Sequence, residues 1–272
     1  MATLGTGQLT LLDWAKRSDP DGSVATIAEL LSQMNDILED AVFREGNLPT
    51  GHRVSIRTGL PAVYWRQINA GVPTSKSTTA QVDEPAAILE AYSEIDVDLA
   101  SLNGNTAAFR LSEDVAFLEA MNQQQANTLF YGNVSVDPKT YTGLATRYSA
   151  ISGAGNGQNV LPGGGSGSAN TSIYLVGWGE NSVFCTFPKG SKAGLQAEDL
   201  GEDIVIDSNG GRYKALRSRY QWKNGLVVKD WRYAVRIANI DSNNLVNESS
   251  AANLTKLMAK ALWRLPSWNG IR

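Results

Sequence analysis

The sequence predicts an α+β chain, and three observations carry that class. Helical periodicity is concentrated in the first half and again near the C-terminal end. Strand patterning dominates from Ser172 onward. Between these regions lies a polar, heavily punctuated stretch, Gly51–Glu90, with too little apolar surface to form a core of its own.

Residues 8–17 hold Leu9, Leu11, Leu12, Trp14 and Ala15 before Lys16-Arg17, which suits a short helix or an extended arm. Asp19-Pro20-Asp21-Gly22 is a turn signal. Thr26 and Glu29 are spaced as a capping box. Ile27, Leu30, Leu31, Met34, Leu38 and Ala41 then recur at helical spacing. This helix covers either the chain's own body or a neighbour, because its periodicity is the same in both cases.

Two strand-like runs follow, Val54–Thr58 and Ala62–Ile68, cut by Gly59-Leu60-Pro61 and Gly71-Val72-Pro73. The polar tract Thr74–Gln81 comes next. An isolated hairpin is marginally stable in water and needs a surface to lie on. A long segment of this kind inside a compact domain is usually a binding loop. It reads as an arm that reaches a neighbouring subunit.

Ala86–Leu102 mixes helix and strand signals, and Asn103-Gly104-Asn105 breaks it. A long helix is predicted over Thr106–Tyr131, with Leu111, Val115, Leu118 and Leu129 on one stripe beside Phe117 and Met121. Asn122 and Gln125 interrupt the stripe, and Gly132 stands where a left-handed cap belongs. Residues 152–170 have the composition of a flexible loop. Gly163–Ser168 lacks the lysine of a phosphate-binding loop.

Ile173–Trp178 and Val183–Phe187 read as a hairpin through Gly179–Ser182. Ile204–Ile206 and Arg212–Trp222 are strands separated by the Asn209-Gly210-Gly211 turn. Leu226–Ile240 is the longest strand signal, with Asp230, Arg232 and Arg236 on one face and Trp231, Tyr233 and Val235 on the other. Buried unpaired charges are costly, so the arginines need partners or water. Subunit contacts and an internal ion pair would both serve. A last helix near Ser250–Leu265 stops at Pro266.

Composition narrows the function. Hydrophobic content of 42% with 19% charge describes a soluble, folded chain. A net charge of −3 and a pI near 5.3 argue against a wholly nucleic-acid-binding surface and leave one positive face open. No apolar run is long enough to span a membrane. Residues Met1–Gly5 show no secretory signal, so folding in a reducing cytoplasm is expected.

The single cysteine, Cys185, forbids an internal disulfide, and its apolar neighbours predict a buried, inert thiol. His52 is the only histidine, which nearly excludes Cys/His zinc clusters. A nucleophile–histidine site would have to use it, yet no nucleophile motif lies nearby, and a surface histidine is the expectation. Glu113-Asp114 and Glu202-Asp203 are adjacent pairs that do not face one site. No catalytic residue, cofactor or metal site is expected.

Particular segments then resemble one family. They are Thr58-Gly59-Leu60-Pro61 with Trp65-Arg66 and Ser75-Lys76-Ser77, followed by Phe130-Tyr131-Gly132-Asn133 and Tyr141-Thr142-Gly143-Leu144. Pro188-Lys189-Gly190-Ser191 comes next, and Asp230-Trp231-Arg232-Tyr233 with Arg236-Ile237-Ala238-Asn239 closes the series. In this order, across nearly the whole chain, they resemble the major capsid proteins of tailed bacteriophages with the HK-97-type coat fold.

The resemblance implies an HK-97-like α+β subunit. Residues 1–45 would be an N-terminal arm and 46–95 an extended loop over an adjacent subunit. Residues 96–139 and 201–240 would form a peripheral domain with spine helix 106–131. Residues 140–200 and 241–272 would form the axial domain. The implied function is a non-enzymatic coat protein forming the hexamers and pentamers of an icosahedral head around double-stranded DNA, held by weak non-specific contact. It would assemble in the host bacterial cytoplasm and reside in the virion.

The chain starts close to its first structured element, so a separate scaffolding protein or a processed form of the chain is expected, and Met1 favours the former. A portal and a decoration protein are further expected partners. Trp65, Arg66, Lys76, Arg232 and Arg236 are the expected inter-subunit contacts. Some members weld subunits by a Lys–Asn bond. Lys76 lies in the corresponding loop, but the rest of that site has no match, so self-crosslinking is not expected. A ring-forming tail or connector protein is the alternative reading, and a cytosolic enzyme a third.

Overall fold

The computed structural model describes residues 9–17, 35–102, 104–153, 155–207, 209–247 and 253–266. In chain order the elements are α1 (Leu11–Lys16), α2 (Asp36–Asp40), β1 (Phe43–Glu45), β2 (Gly51–Gly59), β3 (Thr78–Pro85), β4 (Ala87–Asp96) and α3 (Val97–Ser101). Next come α4 (Thr106–Tyr131), α5 (Leu144–Arg147), β5 (Val160–Pro162), β6 (Asn170–Val176), β7 (Val183–Phe187) and β8 (Leu195–Ile206). The last are β9 (Arg212–Val228), β10 (Ala234–Asp241), α6 (Ser242–Asn247) and α7 (Leu254–Arg264). The predicted turn at 19–22 and most of the predicted helix at 26–41 lie outside the described residues. Its described end is α2, where Leu38 is buried.

The chain forms two compact units. One holds Met1–Glu39, Ile88–Asn127 and Gly194–Lys223, and the other holds Asp40–Ala87, Thr128–Ala193 and Asn224–Arg272.

In the first unit, α1 starts at a reciprocal cap. Asp13 N–H donates to Thr10 Oγ1 at 3.3 Å, and Thr10 N–H donates to the Asp13 carboxylate at 3.0 Å. Ile95, Leu99, Ala100 and Phe109 form the core, with Leu9, Trp14 and Leu216 packed against it. Helix α4 has the predicted bounds but not the predicted face. Leu111, Val115 and Leu118 are exposed, while Phe109, Met121, Gln125, Ala126 and Leu129 are buried. The four-residue spacing 121–125–129 sets the buried ridge, and a hydrogen-bonded amide can sit on such a ridge.

β8 is much longer than the predicted Ile204–Ile206. It pairs antiparallel with β9 from Leu195↔Trp222 to Ile206↔Arg212. Gly201, at φ 71°, takes up the register shift beside Asp199. Acids conceal this strand from an apolar pattern. Glu198, Asp199, Glu202 and Asp203 pair with Arg219, Arg110, Lys214 and Arg217. Such exposed pairs add little net stability, because solvent screens them. Glu90 is the better-held acid. It accepts from Arg219 Nε at 2.6 Å, Tyr92 Oη at 2.8 Å and Gln221 Nε2 at 3.1 Å. These bonds, led by Arg219, hold its carboxyl down at about 2.

In the second unit, β7 pairs parallel with β1 and antiparallel with β9, while β10 lies between β5 and β6. Three sequence expectations change here. Leu226–Ile240 is not one strand, because β9 ends at Val228 and a 3-10 turn, Trp231–Tyr233, precedes β10. The Asp230 side chain causes the break by accepting from Arg232 N–H at 3.0 Å. β6 and β7 are not a hairpin, because β6 pairs with β10 and β7 with β1 and β9. Ser182 Oγ donates to Gly177 O at 2.7 Å and folds the connection on itself. Residues 152–170 are not all free loop. Gly155–Asn159 is a 3-10 turn, β5 follows, and Val160 and Leu161 are buried.

Helix α7 matches the predicted last helix from Leu254 onward, and residues 250–252 of that prediction lie outside the described residues. Its N-cap is Asn253, which accepts from Lys256 N–H at 2.9 Å. Leu254, Leu257 and Ala261 pack with Leu161, Val235, Ile237 and Ile240. Cys185 is fully buried, and burial pushes its thiol up to about 12.

Gly132 ends α4, but not in the expected left-handed conformation. It is required by close approach instead: an added Cβ would stand 2.2 Å from Tyr141 O and 2.6 Å from Thr128 O. Gly132→Val should therefore destabilise the chain by about 2–4 kcal/mol, as overpacking against backbone does. Denaturant unfolding measures this, and an unchanged midpoint would refute the steric argument.

A second prediction concerns acid. The Glu90 carboxyl is depressed in the folded state from an ordinary value of 4.5. Its contribution is complete above that value and lost as pH falls towards about 2. Glu90→Gln should flatten the loss of stability across this window in thermal melts at stepped pH. Parallel curves for parent and variant would remove Glu90 from the acid response.

Candidate assembly interface

The arm is a hairpin, but its second strand is not Ala62–Ile68. β2 pairs antiparallel with β3, from Gly51↔Pro85 to Gly59↔Thr78. The polar tract supplies the partner strand because this ladder has little buried face to demand apolar alternation. Residues 60–77 form the tip. Ser75 Oγ closes it by donating to Ala62 O at 2.7 Å, and Asn69 turns it at φ 67°.

The tip is strongly apolar for something so exposed. Leu60 is 82% exposed, Val63 88%, Trp65 101% and Ile68 87%. Fully burying such a side chain is worth about 1.5–3 kcal/mol. Several large apolar side chains exposed on one short segment are a common mark of an interaction site. The segment is also free of acids, with none between Glu45 and Asp83. Arg53 pairs with Asp83 at 2.5 and 2.6 Å. Arg57, Arg66 and Lys76 have no acid partner among the described residues. The tip thus presents apolar surface with unpaired positive charge.

The root is anchored by different chemistry. Val54, Phe184 and Val227 form a small core with Val42 and Ile56. His52 is not a free surface histidine. Its ring stands edge-on to Phe184 at 5.3 Å, and burial, with Lys229 nearby, lowers its pKa. Glu84, the one buried residue of β3, meets Arg147 of α5 in a two-pronged ion pair at 2.7 and 2.5 Å.

The five expected contact residues separate into two groups. Trp65, Arg66 and Lys76 lie together on the exposed tip. Arg232 and Arg236 do not share a strand face. Arg232 sits in the 3-10 turn and pairs with Asp230 at 2.7 Å. Arg236 on β10 is engaged inside the chain, donating to Tyr148 O at 2.9 Å and to Ser172 Oγ, with its guanidinium 5.6 Å from the Tyr174 ring centroid. Its partners are neutral groups, not the internal acid that was one expectation. Glu84 was missed because it stands in a polar tract. The acid-free run was a usable signal that composition alone dilutes.

No cluster of three or more potential metal ligands occurs among the described residues, and none of their helices is long and apolar enough to cross a membrane.

The family model for Major capsid protein GP7 matches residues 19–272. Among solved structures, the near-atomic cryo-EM structure of bacteriophage Epsilon15 contains a chain with 35% identity and a TM-score of 0.76. That alignment covers 99% of this chain and 81% of the other. The capsid of a native GTA particle aligns at a TM-score of 0.56 and 10% identity over 79% of this chain and 93% of that one. Microbacterium phage Oxtober96 gives 0.53 and 11%, over 84% and 98%. At those identities the last two show the fold alone. No curated protein matches. The α+β fold is HK-97-like, and the chain belongs to the GP7 family of major capsid proteins, coat proteins of the virion that build the icosahedral phage head from copies of one subunit.

Proposed function

We propose that the arm tip is the grip by which each subunit holds its neighbour in the hexamers and pentamers of the shell. One observation carries this: Leu60, Val63, Trp65 and Ile68 remain almost wholly exposed at the end of a hairpin that buries little in its own chain. Head-to-tail contacts between identical subunits close rings, and each copy then buries its neighbour's tip. Trp65, Arg66 and Lys76 are the contact residues of this reading. Arg232 is a weaker candidate, and Arg236 a fold residue.

The shell would enclose double-stranded DNA with weak phosphate contact, in keeping with the net charge of −3. Scaffolding, portal and decoration proteins would act with it, and assembly would take place in the host bacterial cytoplasm. The chain is proposed to be non-catalytic: its one cysteine is buried and its one histidine packs at the arm root. Residues 140–200 and 241–272 are assigned to the axial part, where Leu161, Ile173, Leu245 and Ala261 share a core with Val235, Ile237 and Ile240 of β10. Residues 96–139 and 201–240 are assigned to the peripheral part, supported by Leu99, Phe109 and Leu216.

Replacing Leu60–Ser77 by a short turn should leave a folded subunit that makes no stable shell. Negative-stain microscopy after a sizing column reads this, and normal heads from the shortened chain would refute the grip. Arg236→Ala should lower the thermal midpoint by several degrees, because it strips Tyr148 O and Ser172 Oγ of a donor. Arg232→Ala should shift it by less than about 2 °C, as exposed pairs do. Equal shifts would contradict the assignment of these two arginines.

A further inference from the structure

We infer that the Glu84–Arg147 pair sets the direction of the arm and so determines the geometry of assembly. This rests on the arm being the inter-subunit grip.

Four observations support it. Glu84 is the only buried residue of β3. Arg147 binds both of its oxygens and also donates to Leu226 O at 3.1 Å and Thr142 O at 3.2 Å. One guanidinium therefore ties the arm strand to β9 and to the segment leading into α5. The pair is well shielded, with side-chain exposures of 13% and 8%. The backbone beside it is closely packed: a Cβ on Gly51 would lie 2.0 Å from Glu84 O.

The chemistry chosen at this point is informative. A buried ion pair contributes little net stability, because desolvation offsets its attraction. An apolar pair of similar volume would bury the root equally well. What it would not do is fix an angle, as a two-pronged arginine–carboxylate fork does. The angle matters because the arm is a lever. Nine strand residues span about 30 Å, so a rotation of about 10° at the root moves the tip by about 5 Å. Such a displacement exceeds the tolerance of a packed contact.

The test uses the whole chain with Glu84→Leu/Arg147→Met, Arg147→Lys, and the tip-shortened form as comparator. Thermal unfolding and particle diameters by negative-stain microscopy are measured for each. The double variant should melt within about 5 °C of the parent, yet give a broadened size distribution with tubes or open sheets. Uniform heads of parental diameter from it would overturn the inference. Should the double variant not fold, Arg147→Lys decides, since it keeps the charge and loses the fork. Irregular particles from it support the inference, and uniform parental heads refute it. If the tip-shortened chain fails to assemble while the pair variants make normal heads, only this inference falls. If the shortened chain makes normal heads, the grip itself falls.

Discussion

A hairpin that leaves its apolar end exposed on its own chain has to be held out by its root. That constraint explains much of the second unit. β2 and β3 are tied together by backbone bonds over eight residue pairs. Their root is wedged against Phe184 and Val227, and the one acid that turns inward is captured by an arginine. None of this serves a monomer well, since the tip leaves large apolar groups in water. The arrangement makes sense for a protein whose stable state is the assembly.

The first unit solves a different problem. β8 is a strongly acidic strand with no continuous apolar face, yet it runs twelve residues. It is held by the backbone ladder to its neighbour β9, whose arginines stand at the cross-strand and diagonal positions that match its acids. Arg217 bonds Glu94 and Asp203 together, and Arg219 bonds Glu90 and Glu198. One ordered arginine serves two acids, so less side-chain entropy is lost per pair than in isolated bridges. The polar surface of this unit is thereby ordered without a large core.

Legibility in the sequence followed the physics of each element. The extents of α4, β7 and α7 are legible from local pattern and from the glycine or proline that ends them, but for α4 neither the buried face nor the conformation of its terminal glycine is. The existence of the arm was readable from its punctuation, but its pairing was not. Apolar Ala62–Ile68 looked like strand, and the true partner was the polar Thr78–Pro85. Exposed ladders are chosen by turn geometry and backbone bonds, which leave little trace in hydrophobicity. The break at Lys229–Tyr233 is hidden because Asp230 fits a strand face by its spacing but caps a turn in the fold. Which face of α4 is buried is also hidden, since the buried ridge carries an amide, Gln125, while the apolar stripe Leu111, Val115 and Leu118 is exposed. In the sequence, Trp65, Arg66 and Lys76 stand out through the segments that carry the resemblance, and the structure puts all three on the exposed tip, whereas the Glu84 ion pair and the internal engagement of Arg236 need the tertiary structure.

The burial of Cys185 has a practical consequence. It is the chain's only thiol, it is fully enclosed between β1 and β9, and its proton is held far above neutrality. Thiolate chemistry needs an accessible, ionised sulfur. The native subunit should therefore be silent towards maleimides and disulfide probes, and a cysteine introduced on its surface would be a unique address. A shell built from such subunits would display one chemical handle per copy at a spacing set by its own symmetry.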